Sequence, residues 1–193
     1  MSEAKIQTQK VVNGVNVDQL FETIDAIKDN GVIARFKFRV RNRWMDGGHN
    51  QATMNDFDGA CATHERPAPF VLDADEPPLL LGEDRGPNPV EYALSALSMC
   101  MTTGIVYHAA AHGYELEEVE SRFDGDLNLK GFLGMDPSVR PGYEKVRVTF
   151  KVKAKGDLPD EILDDIVKYG PTYSPVHDIF TSSVPVEVTR DKS

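Results

Sequence analysis

The residues with the clearest chemical potential lie in one stretch, NPVEYALSALSMCMTTGIVYHAAAHG, residues 88–113, with Cys100 at its centre. A thiolate is a nucleophile and a thiol is not. Two readings of Cys100 therefore stand open: a reactive sulfur held ionised by its surroundings, or a small buried hydrophobe. Asn88 reads as a helix cap, Pro89 as a first-turn residue and Glu91 as the carboxylate of a capping box. Cys100 then lies about three turns inside the helix, beyond the roughly one turn over which a helix dipole acts. Activation would need a cation delivered by another segment or subunit; without one, burial raises the thiol pKa.

Other groupings carry weaker chemistry. His108 and His112 stand at i and i+4, a spacing that can clamp a metal. No glutamate separates them as in H-E-x-x-H, no third ligand is placed by sequence, and histidines suit a helix's last turn in any case. No metal and no cofactor is expected. Asp73 to Pro78 reads as a lid or arm across a dimer rather than a calcium loop, whose ligands recur at short regular intervals. Tyr92, Tyr107 and Trp44 are expected to fill a core or a dimer seam.

The elements that must hold these residues follow from periodicity. Asn13-Gly14 between valines predicts a small hairpin. Val17, Leu20, Phe21, Ile24 and Ile27 recur at helical spacing, with Asn16 as cap and Asn30-Gly31 as stop. Ala34, Phe36, Phe38, Val40 and Trp44 alternate with arginines and a lysine, the period of a half-buried strand. After the Asp46-Gly47-Gly48 turn a second strand, from about Gln51 to Phe57, pairs back. Residues 58–87, rich in Pro and Gly, read as a long structureless connection. Beyond the Gly113 stop come strands around residues 119–127 and 145–153, a short helix from Ile162 to Val167, and a last strand through Val184, Val186 and Val188 that Pro185 confines to an edge or an end. The basic rows at 35–43 and 145–153 are placed to flank the acidic row at 118–126. This order predicts an α+β fold with an antiparallel sheet.

The helix also predicts an assembly. About 24 residues at 1.5 Å each make a rod of about 36 Å. No charge falls between Glu91 and His108, so the rod must be covered on every side. One sheet covers one side, and the same helix of a second subunit is the expected cover for the other.

Composition bounds the rest. The chain has 193 residues and a net charge of −10, which argues against a phosphate-binding surface and so against nucleic acid as a partner. Two cysteines do not make a disulfide framework at this length, and a reducing compartment is expected. MSEAKIQTQK lacks the apolar core of a signal peptide. The uncharged run from Tyr92 to Tyr107 reads as too short and too polar to span a bilayer. The expectation is a cytoplasmic protein with no membrane partner.

Gly86-Pro87-Asn88-Pro89-Val90-Glu91-Tyr92, Ala96 to Thr102 around Cys100, and Tyr173-Ser174-Pro175-Val176 together resemble the OsmC/Ohr family, the osmotically induced and organic-hydroperoxide-resistance proteins. The likeness runs from about residue 33 to 190. It implies residues 1–31 as an N-terminal extension of hairpin and helix, and 32–193 as an OsmC-like domain. It also implies a sheet wrapped on a long central helix in an intertwined homodimer with interfacial active sites. In peroxidase members the helix cysteine attacks a hydroperoxide, an arginine and a glutamate hold the thiolate, and a second cysteine resolves the sulfenate.

The resemblance makes Cys100 the attacking residue, and a hydroperoxide or other apolar small molecule its ligand. It also exposes departures. Ser174 occupies the resolving position and cannot form a disulfide, so an external thiol must be the reductant unless Cys61 resolves instead. The family's glutamate position is Val90 here, and Glu91 lies about 100° further round the helix. Where an arginine often follows a Gly-Gly turn, this chain has His49, a cation only when protonated. Arg85 is the substitute. Catalytic candidates are thus Cys100, Glu91, Arg85 and His49, with Ser174, His177 and Tyr107 lining the pocket. His177 and Asp178 are also placed to cap the turn that follows Val176. A dimer that keeps an apolar pocket around Cys100 without peroxidase turnover is the alternative.

Overall fold

The computed structural model describes residues 9–192, so residues 1–8 of the expected extension lie outside it. The chain forms two compact units, one ending at Ala93 and the other beginning at Leu94.

In the first unit, β1 (Val11–Val12) and β2 (Val15–Asn16) form the expected hairpin. Asn13 and Gly14 turn it with φ of 53° and 76°, both left-handed as a two-residue turn of this type requires. The Asn16 side chain accepts from Gln19 N and caps α1 (Val17–Asp29), which ends at Asn30 as its spacing predicts.

A four-stranded antiparallel sheet follows: β3 (Lys37–Phe38), β4 (Arg41–Asp46), β5 (His49–Gly59) and β6 (Ala62–Ala74). Strand β5 is central, with β3 and β4 along one edge and β6 along the other. The single strand expected from Ala34 to Trp44 is broken, because Gly31–Ala34 forms a 3-10 turn and the register slips by one residue between Phe38↔Phe57 and Arg41↔Thr53. Arg39, in the gap, pairs with Asp56 and Asp58 of β5, so the basic row at 35–43 meets carboxylates of its own sheet at this point.

The expected connection at 58–87 is corrected more deeply, since β6 occupies its first half. Pro67 and Pro69 are tolerated because the strand bulges. Met54 pairs with Phe70 and Asp56 with Glu65, which leaves residues 66–69 out of the ladder. The Arg66 guanidinium donates to Asn55 O at 3.0 Å, where a proline has no N–H to give.

Helix α2 (Pro89–Ala111) starts in the first unit and continues through the second. The second unit goes on with β7 (Leu116–Asp126), the short α3 (Leu129–Phe132), β8 (Lys145–Ala154), α4 (Asp160–Tyr173) and α5 (Pro175–Thr181). Strands β7 and β8 pair antiparallel and set Glu118 opposite Lys153, Glu120 opposite Lys151 and Asp126 opposite Lys145. Here the expected match of acidic and basic rows holds. The core is Ile105 and Ala109 of α2 with Ile166 of α4, all 0% exposed, against Val119, Phe150 and Val152 of the strands.

Two expectations for the C-terminal region are corrected. Helix α4 runs on to Tyr173, and residues 183–192 form no strand. Pro185 lacks a donor, no neighbouring strand accepts the segment, and Val184, Val186 and Val188 are exposed. By length and composition α2 is long and apolar enough to cross a membrane, contrary to the reading of its uncharged run. Its Leu97, Met101, Ile105, Ala109 and Ala110 are nevertheless buried in protein. The fold is α+β with antiparallel sheets.

Candidate functional site

Helix α2 shows two opposed stripes at four-residue spacing. Leu97, Met101 and Ile105 are buried, whereas Ser95, Met99, Thr103 and Tyr107 are exposed. Cys100 lies between them, half-buried, on an open groove of about 480 Å³ that it shares with Ala96, Met99, Thr103, Tyr107 and Tyr173. Tyr107 is therefore a lining residue beside Cys100.

No lysine, arginine or carboxylate lines this groove among the described residues. Its one titratable nitrogen heterocycle is His108, whose ring stacks on Tyr173 at 3.9 Å between centroids. Burial, and then the charge of His112, push the His108 pKa below the ordinary histidine value. His108 is thus neutral at neutral pH, and the groove by itself offers Cys100 no cation. His112 Nδ1–H donates to His108 O, 2.7 Å away, and the ring stacks on Tyr169. No cluster of three metal-ligating side chains occurs among the described residues.

Ser174 is 4% exposed, and its hydroxyl accepts from His177 N at 3.0 Å to cap α5. His177 lines a different groove, described below, rather than the one that holds Cys100.

The first unit gathers the other candidates. His49 Nε2 lies 2.9 Å from Asp73 Oδ1, and His49 Nδ1 lies 3.2 Å from Arg85 Nη1. A guanidinium only donates, so Nδ1 must accept and Nε2–H must donate to Asp73. His49 is therefore no source of positive charge here. It is a neutral strut that holds Arg85, and the hydrogen bond from His49, followed by one from Gln51, keeps the Asp73 carboxyl below its ordinary range.

The backbone around Arg85 is tied just as closely. Asp75, 2% exposed, accepts from the backbone N–H groups of Glu76, Glu83 and Arg85. Burial pushes its pKa up, but these backbone donors outweigh it and leave the carboxyl below its usual range. Gly86 lets the loop close on Asp73, whose carbonyl oxygen would stand 2.1 Å from any added Cβ. The Arg85 side chain also pairs with Glu83. The segment from Asp73 to Pro78 is thus part of this anchor.

Glu91 forms the expected capping box. Its carboxylate accepts from Asn88 N at 2.9 Å, while Asn88 Oδ1 accepts from Val90 N and Glu91 N. Cys61 sits at the β5–β6 turn, exposed, where Ala60 and Cys61 have φ of 47° and 64°. Both cysteines are free thiols.

The sequence left Asp73, Asp75, His108 and Tyr173 without these roles. The carboxylates lay in a stretch read as an arm, although a buried acid followed ten residues later by Arg85 is the kind of pair that closes a loop.

The family model described as OsmC-like protein matches residues 82–189. This protein belongs to the OsmC-like family. Comparison with curated protein sequences gives no match. Among solved structures, the OsmC-like protein of Mycoplasma pneumoniae aligns with a TM-score of 0.56 at 12% identity, over 75% of this chain and 87% of its own. An OsmC-like protein of unknown function from Vibrio cholerae gives 0.54 at 14% identity, over 74% and 92%. A third, from Psychrobacter arcticus and named for osmotic stress induction and a detoxification response, gives 0.53 at 14% identity, over 72% and 85%. These likenesses describe the fold.

Proposed function

We propose that this OsmC-like protein is a thiol-dependent hydroperoxide reductase of oxidative-stress defence, acting as a homodimer with Cys100 as its single peroxidatic thiol. The observation that carries the reading is the position of Cys100, half-buried on an open apolar groove between Met99 and Tyr173. An organic hydroperoxide can lay its hydrocarbon on those side chains with its O–O bond at the sulfur. The thiolate attacks the terminal oxygen, the O–O bond breaks, and the products are a sulfenic acid and an alkoxide that leaves as the alcohol after taking a proton. One external thiol then forms a mixed disulfide with release of water, and a second restores Cys100 and leaves as the oxidised disulfide.

The reading requires a cation from outside the groove, and it names Arg85 of a second copy of the chain. Dimerisation is supported by the apolar side chains left uncovered on both units. Phe38, Trp44 and Phe70 of the sheet are 71%, 69% and 60% exposed, and Met99 of α2 is 63% exposed. The detoxification named for the Psychrobacter arcticus relative is consistent with this chemistry.

The absence of a cation from the groove favours a second reading, an apolar-ligand-binding dimer without turnover. Two measurements separate them: the pH dependence of Cys100 alkylation, and the intact mass after one equivalent of cumene hydroperoxide. A thiol pKa well below the ordinary value of about 8.5, a gain of one oxygen, and loss of thiol-dependent peroxide consumption in Cys100→Ser support the reductase. Slow alkylation with an ordinary or raised pKa and an unoxidised Cys100 select the second reading.

A further inference from the structure

A second groove, of about 480 Å³, opens on the unit beginning at Leu94, with no cysteine and no part in the chemistry above. Its inner wall is apolar: Leu97 is 2% exposed, and Val146 and Phe180 are half-buried. Its exposed rim carries Arg140, Lys145 and one carboxylate, Glu144.

The charge on this rim results from how the neighbouring strands pair. Lys145 stands opposite Asp126 in the β7–β8 register, yet Asp126 does not take it. Asp124 is occupied by Arg122, which binds it through Nε at 2.9 Å and Nη2 at 3.0 Å. Arg147, opposite Asp124, therefore reaches to Asp126 and holds both of its oxygens, at 2.5 and 2.6 Å. Further along β8, Lys151 and Lys153 both pair with Glu118. The acidic row is used up before Lys145 is reached, and Lys145 adds only a longer-range attraction to Asp126.

Arg140 likewise forms no ion pair among the described residues, and its backbone is seated. An added Cβ on Gly131 would come within 2.2 Å of the Arg140 carbonyl oxygen, so the segment after α3 closes on that glycine. In a chain with a net charge of −10, two unpaired cations against one carboxylate at the mouth of an apolar groove are a local reversal of sign.

We infer that this groove binds an amphipathic organic monoanion, a single carboxylate on an apolar tail. The carboxylate is held between Arg140 and Lys145, and the tail lies on Leu97, Val146 and Phe180. A net excess of one positive charge suits one carboxylate better than a doubly charged phosphate. The volume is that of a small-ligand site, and the apolar wall gives hydrocarbon a place out of water.

The test is calorimetric titration of the full chain with decanoate, below its aggregation concentration. One equivalent per chain is expected, with binding weakened about tenfold or more in Arg140→Gln/Lys145→Gln, as befits charge-assisted contacts. Lys28→Gln, a charge change on α1, should bind as the parent does. Methyl decanoate should bind the parent and the double variant alike, and Cys100→Ser should bind decanoate unchanged. In Phe180→Ser, checked by circular dichroism for retained fold, decanoate binding should also fall. The proposal is overturned if decanoate does not bind, if the double variant binds it as tightly as the parent, or if alkylation of Cys100 abolishes binding, which would place the ligand in the other groove.

Discussion

Arg85 Nη1 stands 3.2 Å from His49 Nδ1, a ring nitrogen that has to be bare to receive it. The same ring gives its other proton to Asp73 at 2.9 Å. A residue that resembled a substitute cation thus proves to be the acceptor that orients one.

Nuclear magnetic resonance checks this directly. In long-range ¹H–¹⁵N spectra near neutral pH, His49 should appear as the Nε2–H tautomer with an unprotonated Nδ1; a protonated Nδ1 would overturn the assignment. Asp73 faces the His49–Arg85 pair from the ring side and Glu83 from the guanidinium side, and Asp73→Asn should weaken it. The Asp73 carboxyl is held below its ordinary value, so its contribution to stability is complete above the unfolded pKa and lost as pH falls through the folded one.

Acid should loosen the β7–β8 pair through Glu118. Hydrogen bonds from Lys151 and then Lys153 bring the Glu118 pKa down from 4.5 to about 2. A carboxyl lowered in the folded state stabilises the protein above its unfolded pKa, and this contribution disappears between about pH 4.5 and about 2. Denaturant midpoints measured from pH 6 to 2 should fall across that window. Glu118→Gln should be less stable than the parent at pH 6 and show a shallower fall; equal slopes would show that the pairing contributes nothing.

Ile105→Ala should cost about 2–5 kcal/mol, the range for emptying a packed aliphatic site. Ile105 is 0% exposed, and its Cδ1 would stand only 3.3 Å from a Cβ added at Gly170, so α2 and α4 meet there without slack. Cys100→Ser, on the half-buried groove side, should cost under about 1 kcal/mol. Urea unfolding of both variants decides the point, and a reversed order would mean that Cys100 is the better packed residue.

Removing the helix cap should be a smaller effect of a different kind. Asn88→Ala leaves Val90 N and Glu91 N without their side-chain acceptor while the Glu91 carboxylate keeps its bond from Asn88 N, and about 1 kcal/mol of stability should be lost, with a range of about 0.5–2. Glu91→Gln can still accept from Asn88 N and should cost less. If Glu91→Gln instead changed the Cys100 alkylation rate while leaving stability intact, the carboxylate would have a role at the thiol beyond its cap.

Local pattern determined several features of this chain unaided. The Asn13-Gly14 hairpin, the Asn16 cap, the Asn88/Glu91 capping box and the alternation in β7 and β8 are each set by neighbours within a few residues, and each stands in the structure. The motifs around Asn88 and Cys100 likewise pointed to the OsmC-like family, whose model matches residues 82–189.

Only the tertiary structure decided the rest, because it depends on partners remote in sequence. Strand β6 exists despite Pro67 and Pro69 because β5 supplies a ladder on both sides of the bulge, whereas Val184 to Val188 has the right alternation and no ladder to join. The tautomer of His49 required Asp73 and Arg85 to arrive from 24 and 36 residues away. That His108 is neutral beside Cys100, and that Lys145 is left without an ion pair, follow from which side chains the folded backbone places within a few ångströms. A one-dimensional pattern does not carry that information.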